Sequence, residues 1–165
     1  MSAGLYLAGA GLVTPVGFGI EANCAAIRGG LDRLDELPWH DDDGLPIIGA
    51  AVTGLDEAPV SERLLALLAA VVEESARRWQ VERLERLVIA WPSDAPGPCA
   101  GEAELLAQLV QRSGVAIGAL ERVLGDESAG PAALERAAAH LGAGVERCLV
   151  CGVDSYLGPR RLAGL

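Results

Sequence analysis

Two compact apolar runs, Leu87–Trp91 and Val145–Val153, stand on either side of an alanine-rich stretch that opens at Gly130-Pro131 and stops at Gly142. Apolar runs of this length between turn residues predict buried strands, and the second, flanked by glycines, has the pattern of a central strand in a parallel sheet. Proline in a first turn and glycine past a last one mark the stretch between them as a helix ending near Leu141. Strands that alternate with helices imply a layered α/β fold, and most of the chain repeats the alternation.

Leu5–Val13 predicts a further buried strand, ending at the turn Thr14-Pro15-Val16-Gly17. A first helix is expected from Ile20 to Arg28, with Ala22, Ala25, Ala26 and Ile27 toward one side and Gly29-Gly30 as its stop. Residues 31–45, broken by Pro38 and by Asp41-Asp42-Asp43-Gly44, read as an exposed excursion, and residues 47–52 as an edge or secondary strand. Ser61 is placed to cap a long helix that runs to Trp79. Because that helix is apolar nearly all round from Leu64 to Val72, it is expected to be hidden inside the domain. After the strand at 87–91, Pro92–Gly101 with its three prolines reads as an irregular loop. A helix from Glu102 to Arg112 and a short strand from Glu121 to Leu124 follow.

The chain of 165 residues suits one domain, residues 1–165, with a sizeable core. Its 51 % of apolar residues are mostly Ala, Val and Leu, which suits helices packed closely on a sheet. The net charge is −10 and every basic residue is Arg, which argues against a broad phosphate-neutralising surface, so nucleic acid is not expected as a partner. Without Lys, the Schiff base of pyridoxal enzymes and the phosphate-cradling P-loop are excluded. No apolar run approaches the roughly 18 to 20 residues of a bilayer span, and Met1-Ser2-Ala3-Gly4 is not the basic start of a secretory leader. No membrane partner is therefore expected. Four irregularly spaced cysteines make no disulfide framework, which agrees with a cytoplasmic location. Arg160–Leu165 stops mid-pattern, which leaves open whether Leu165 is the natural end.

Three segments, in order along nearly the whole chain, resemble the β-ketoacyl synthase (3-oxoacyl-acyl-carrier-protein synthase) family of the thiolase superfamily. Ala8–Gly17 is similar to the opening strand and Thr-Pro-Leu-Gly turn of those enzymes. Gly152-Val153-Asp154-Ser155 resembles the family's Gly-Gly-Val-Asp-Ser, with Cys151 in place of the first Gly. Asp126-Glu127-Ser128-Ala129-Gly130 stands where the family carries Ala-Cys-x-Ser-Gly at a helix start, which puts Glu127 at the position of the catalytic Cys. The resemblance implies the amino-terminal half of such an enzyme: a layered, thiolase-like α/β half with a mixed, mainly parallel sheet and a buried helix. It also implies a homo-oligomer or a partner half, and an acyl carrier protein as a possible partner.

Condensation needs a thiolate at a helix start to attack an acyl thioester, and a carboxylate is a far weaker nucleophile. The family's two catalytic histidines belong to its carboxyl-terminal half, and neither His40 nor His140 takes their place. Glu127 is thus the one candidate catalytic position, expected to be inactive for condensation. The alternatives are a thioester-processing enzyme completed by a carboxyl-terminal half, with helix amides stabilising the oxyanion, and a small nucleotide-binding protein.

Other motifs weigh toward structure. Gly9-x-Gly11-x-x-Thr14 has part of a dinucleotide fingerprint, but Thr14-Pro15 replaces its third glycine and helix start, so no cofactor is expected. Cys148 and Cys151 have metal or redox spacing inside a strand whose side chains alternate faces, which favours core thiols. Cys99 is the expected exposed thiol, and no base is paired with it in sequence. His40-Asp41-Asp42-Asp43 reads as a solvated loop before it reads as a metal site, so no metal is expected. Arg77-Arg78 and Arg160-Arg161 read as surface charges, or as a landing patch for an acidic carrier protein.

Overall fold

The computed structural model describes residues 6–55, 57–95, 97, 101–155, 157 and 162. Eleven elements follow in the order β1 (Val13–Thr14), β2 (Gly17–Phe18), α1 (Ile20–Arg28), β3 (Asp35–His40), β4 (Pro46–Gly49), α2 (Val60–Trp79), β5 (Arg83–Pro92), α3 (Glu102–Ser113), β6 (Ala116–Gly125), α4 (Ala129–Gly142) and β7 (Cys148–Gly152). The fold is mixed α/β. A three-stranded parallel sheet, in the order β6-β5-β7, stands beside two antiparallel two-stranded pieces, β1-β2 and β3-β4.

The parallel sheet has helices on both faces. Leu87, Ile89 and Trp91 of β5, with Leu149 and Cys151 of β7, meet Leu64, Leu68 and Val72 of α2 and Leu105 and Leu109 of α3. On the other face Val88 and Ala90 meet Ala129, Ala133 and Ala137 of α4. Those alanines recur every fourth residue, so they form one methyl-lined stripe that brings the helix close to the strands. With both faces covered, β5 reads as an unbroken apolar run, whereas a strand covered on one side would alternate.

Several sequence expectations are corrected. Tyr6 and Leu7 are 92 % and 89 % exposed and residues 6–12 form no strand; the segment lies along α2, where its glycines make close contact, and Leu5 is outside the described residues. Only the hairpin at Val13–Phe18 pairs. Residues 31–45 include β3, which pairs with β4. Pro59, not Ser61, stands at the N-cap of α2, with no side-chain cap bond. From Leu64 to Val72 that helix has no exposed residue, as its apolar run predicts, while Glu73, Arg77 and Arg78 beyond it are exposed. The strand expected at Glu121–Leu124 extends over ten residues, because Ala116–Gly125 runs in register beside β5. β5, and not β7, holds the centre of the sheet.

α1 is where its sequence places it, with Gly30 at φ +67 just past its end, a conformation that glycine adopts without strain. Its inward residues are Asn23 and Ala26, and Ile27 is exposed. No helix among the described residues is long and apolar enough to cross a membrane.

Candidate functional site

The three parallel strands end together. Pro92 pairs with Gly125 and Ala90 with Gly152, so the loops at Ser93-Asp94, Asp126-Glu127-Ser128 and Asp154-Ser155 leave the same end of the sheet. In open α/β sheets, ligands bind beyond the carboxyl ends of the strands, where loops diverge and helix amides point outward.

Glu127 stands in the connection from β6 to α4. A Cβ on Gly125 would come within 3.1 Å of the Ala129 Cβ, so glycine lets α4 turn back tightly onto the strand. The Ser93 amide donates to the Gly125 carbonyl at 3.0 Å and ties two of the strand ends together. Asp126 organises the turn: its Oδ1 accepts the Ser128 N–H at 3.0 Å and its carbonyl accepts the Ala129 N–H, also at 3.0 Å. The Ser128 amide holds the Asp126 carboxyl below its ordinary range. Glu127 is exposed. The amides of the N-cap Ser128 and of Ala129, the first helical residue, are thereby engaged by Asp126, and Pro131 has none to offer, which reduces what this helix start can give to an oxyanion.

The Gly152–Ser155 segment is anchored from behind. Ser155 is buried and its Oγ accepts a hydrogen bond from Arg63 Nη1 at 3.1 Å. Arg63, only 3 % exposed, also donates to the carbonyls of Leu55 at 2.7 Å and Ala58 at 2.8 Å, and to that of Leu157. One buried guanidinium therefore joins the start of α2 to the loop before it and the loop after β7. Sequence reasoning missed Arg63, since an Arg in the first turn of an Ala/Leu helix is normally solvated.

The opening motif is a packing device. A Cβ on Gly9 would lie 2.1 Å from the Trp79 indole nitrogen, and one on Gly11 2.7 Å from the Ser75 hydroxyl, so both glycines press on α2. The turn after them is held by Asn23, fully buried, whose Nδ2 lies 3.2 Å from the Leu12 carbonyl, 2.8 Å from that of Gly17 and 2.7 Å from that of Gly19. Thr14 donates to its Oδ1. Asn23 too was missed; a buried Asn among alanines of an amphipathic helix is the signal that points to it.

The remaining candidates lie apart. Cys148 is half-buried and faces α4, while Cys151 is buried on the α2 side; both are free. Burial pushes the Cys151 thiol up to about 12 and raises that of Cys148, so both stay protonated thiols at neutral pH. Cys24 is an exposed free thiol; Cys99 lies outside the described residues. His40 ends β3, and the Asp41 carboxylate accepts the amides of Asp43 and Leu45 at 3.0 and 2.8 Å, closing a turn. No group of three metal-ligating side chains occurs among the described residues. Arg78 pairs with Glu21 at 2.5 Å; Arg160 and Arg161 are outside the described residues. His140 pairs with Glu121 at 2.6 Å, and Arg136 holds the same carboxylate at 2.6 Å, at the end of α4 away from Glu127.

No family model, no curated protein and no solved structure matches the chain.

Proposed function

We propose that this chain is a ketosynthase-like domain of thiolase type that does not condense acyl groups and serves as a subunit, or as one half of a larger unit, in acyl or polyketide metabolism. The observation that carries the reading is Glu127, exposed in the connection from a parallel strand to an alanine-rich helix, where the resembling enzymes hold their nucleophilic Cys. The order strand, turn, helix, strand, ending in Gly152-Val153-Asp154-Ser155, supports it further. A carboxylate attacking a thioester would form a mixed anhydride less stable than its precursor, so acyl loading is not expected.

The alternative, thioester processing once a carboxyl-terminal half is present, relies on amides at the start of α4, and the engagement of two of them by Asp126 counts against it. The nucleotide reading finds its two glycines packed on α2. For partners, we read the exposed apolar residues as surface that a second subunit or partner half covers, and an acyl carrier protein as a further candidate.

Incubation with a radiolabelled acyl thioester tests the proposal. The purified chain with Cys24→Ser and Cys99→Ser, which removes the exposed thiol among the described residues and the one expected from sequence, is expected to carry no label after denaturation. Stoichiometric covalent label on that variant would sink the reading.

A further inference from the structure

We propose that the cleft between the Val13–Phe18 hairpin and α2 binds a small organic monocation, a primary ammonium or guanidinium compound, on the carboxylate of Glu74. The proposal stands apart from the ketosynthase-like reading and uses none of its residues. The cleft holds about 600 Å³ and lies between Val13, Phe18 and Glu21 on one side and Ala70, Glu74 and Arg77 on the other. That volume suits a small molecule.

Glu74 is the unusual group. It is only 9 % exposed, yet it has no ion-pair partner within 4.0 Å among the described residues. Its Oε2 accepts the Leu12 N–H at 3.0 Å, while Oε1 accepts no hydrogen bond among the described residues and borders the cleft. Oε1 is therefore left open to a further donor, and a carboxylate held in a largely buried side chain gains from a second, charge-assisted hydrogen bond. The backbone is shaped to leave it in place: a Cβ on Gly19, at φ +90, would stand 3.0 Å from Oε1, and one on Gly11 3.1 Å from Oε2.

Charge and shape agree on the class of ligand. The cleft is lined by the carboxylates of Glu21, Glu73 and Glu74 and the guanidinium groups of Arg77 and Arg78, which leaves one negative charge over. Arg78 is committed to Glu21 at 2.5 Å, and its charge reaches Glu74 only from beyond ion-pair distance. One monocation neutralises the remainder, and an N–H donor on its head group gives the open oxygen a charge-assisted hydrogen bond. Val13, Ala70 and the exposed ring of Phe18 then offer apolar surface to a short alkyl tail.

Titration of the full chain with n-butylammonium and n-propylguanidinium, with n-butanol as the uncharged control, tests this by amide chemical shifts. The expected result is one saturable site with shifts centred on Leu12 and Gly19 and no response to butanol. Glu74→Gln keeps an oxygen for the Leu12 amide and loses the charge, so it is expected to weaken binding by at least about tenfold, against less than about threefold for Glu73→Gln. Should Glu74→Gln fail to fold, Ala70→Arg fills the cleft with a guanidinium of its own and is expected to abolish binding. Shifts scattered over the acidic surface without saturation, binding of butanol, or unchanged affinity in Glu74→Gln or Ala70→Arg would each overturn the proposal, leaving Glu74 as an anchor for Leu12 alone.

Discussion

Asn23 bears most of the order in the amino-terminal turn, since its amide nitrogen reaches three backbone carbonyls and its oxygen receives the Thr14 hydroxyl. Truncation strands those carbonyls in a buried setting, so Asn23→Ala is expected to lower stability by about 2 to 4 kcal/mol, read from urea unfolding. Glu121 acts through pH. Its carboxyl is held below the ordinary 4.5, first by the His140 hydrogen bond and also by Arg136, against the opposing effect of burial. Folding therefore favours the ionised form: this stabilisation is complete above the unfolded value and is lost as pH falls through the folded one. The urea midpoint of the wild type is expected to drop more steeply below about pH 4.5 than that of Glu121→Gln. Equal slopes would remove Glu121 from the acid response. Neither partner set was legible in the sequence, because Glu121 and His140 lie 19 positions apart and only the crossover from β6 to α4 joins them.

Elements were legible where local signals agreed with burial. Ile20–Arg28 ends at its glycines as expected, and the alanine helix starts beside Pro131. Signals failed where pairing decides: Ala116–Leu120 is Ala-Ile-Gly-Ala-Leu, short and interrupted by Gly118, with no apolar-polar alternation, yet ladder bonds to β5 make it part of a ten-residue strand. Leu5–Val13 has the opposite fate, apolar enough for a strand while its described part lies outside the parallel sheet and pairs only at Val13. α4 offers the clearest test at this scale. Ala133 is fully buried between helix and sheet, so Ala133→Leu is expected to force the helix outward and cost about 1 to 3 kcal/mol, seen as a lowered thermal midpoint. An unchanged midpoint would mean that the alanine stripe is loosely packed.

For the molecule as a whole, the distribution of apolar surface is uneven. Of the eleven exposed large apolar residues among those described, nine fall between Tyr6 and Ile48, and Leu134 adds another on the outer side of α4. Large exposed apolar areas mark interaction sites, so the chain is expected to elute above its monomer mass of 17.0 kDa in light scattering at micromolar concentration. Dissociation on dilution would fit a weak interface; a strict monomer at every concentration would set self-association aside. The sequence by itself determined the α/β class, the helices and the identity of Glu127 at a strand-to-helix turn, because periodicity, glycine stops and proline starts act over a few residues. Only the tertiary structure decided which strand is central, that Arg63 and Asn23 bind loops together, and that Glu74 borders a cleft. Those outcomes depend on contacts between residues distant in the chain, and local pattern carries no record of them.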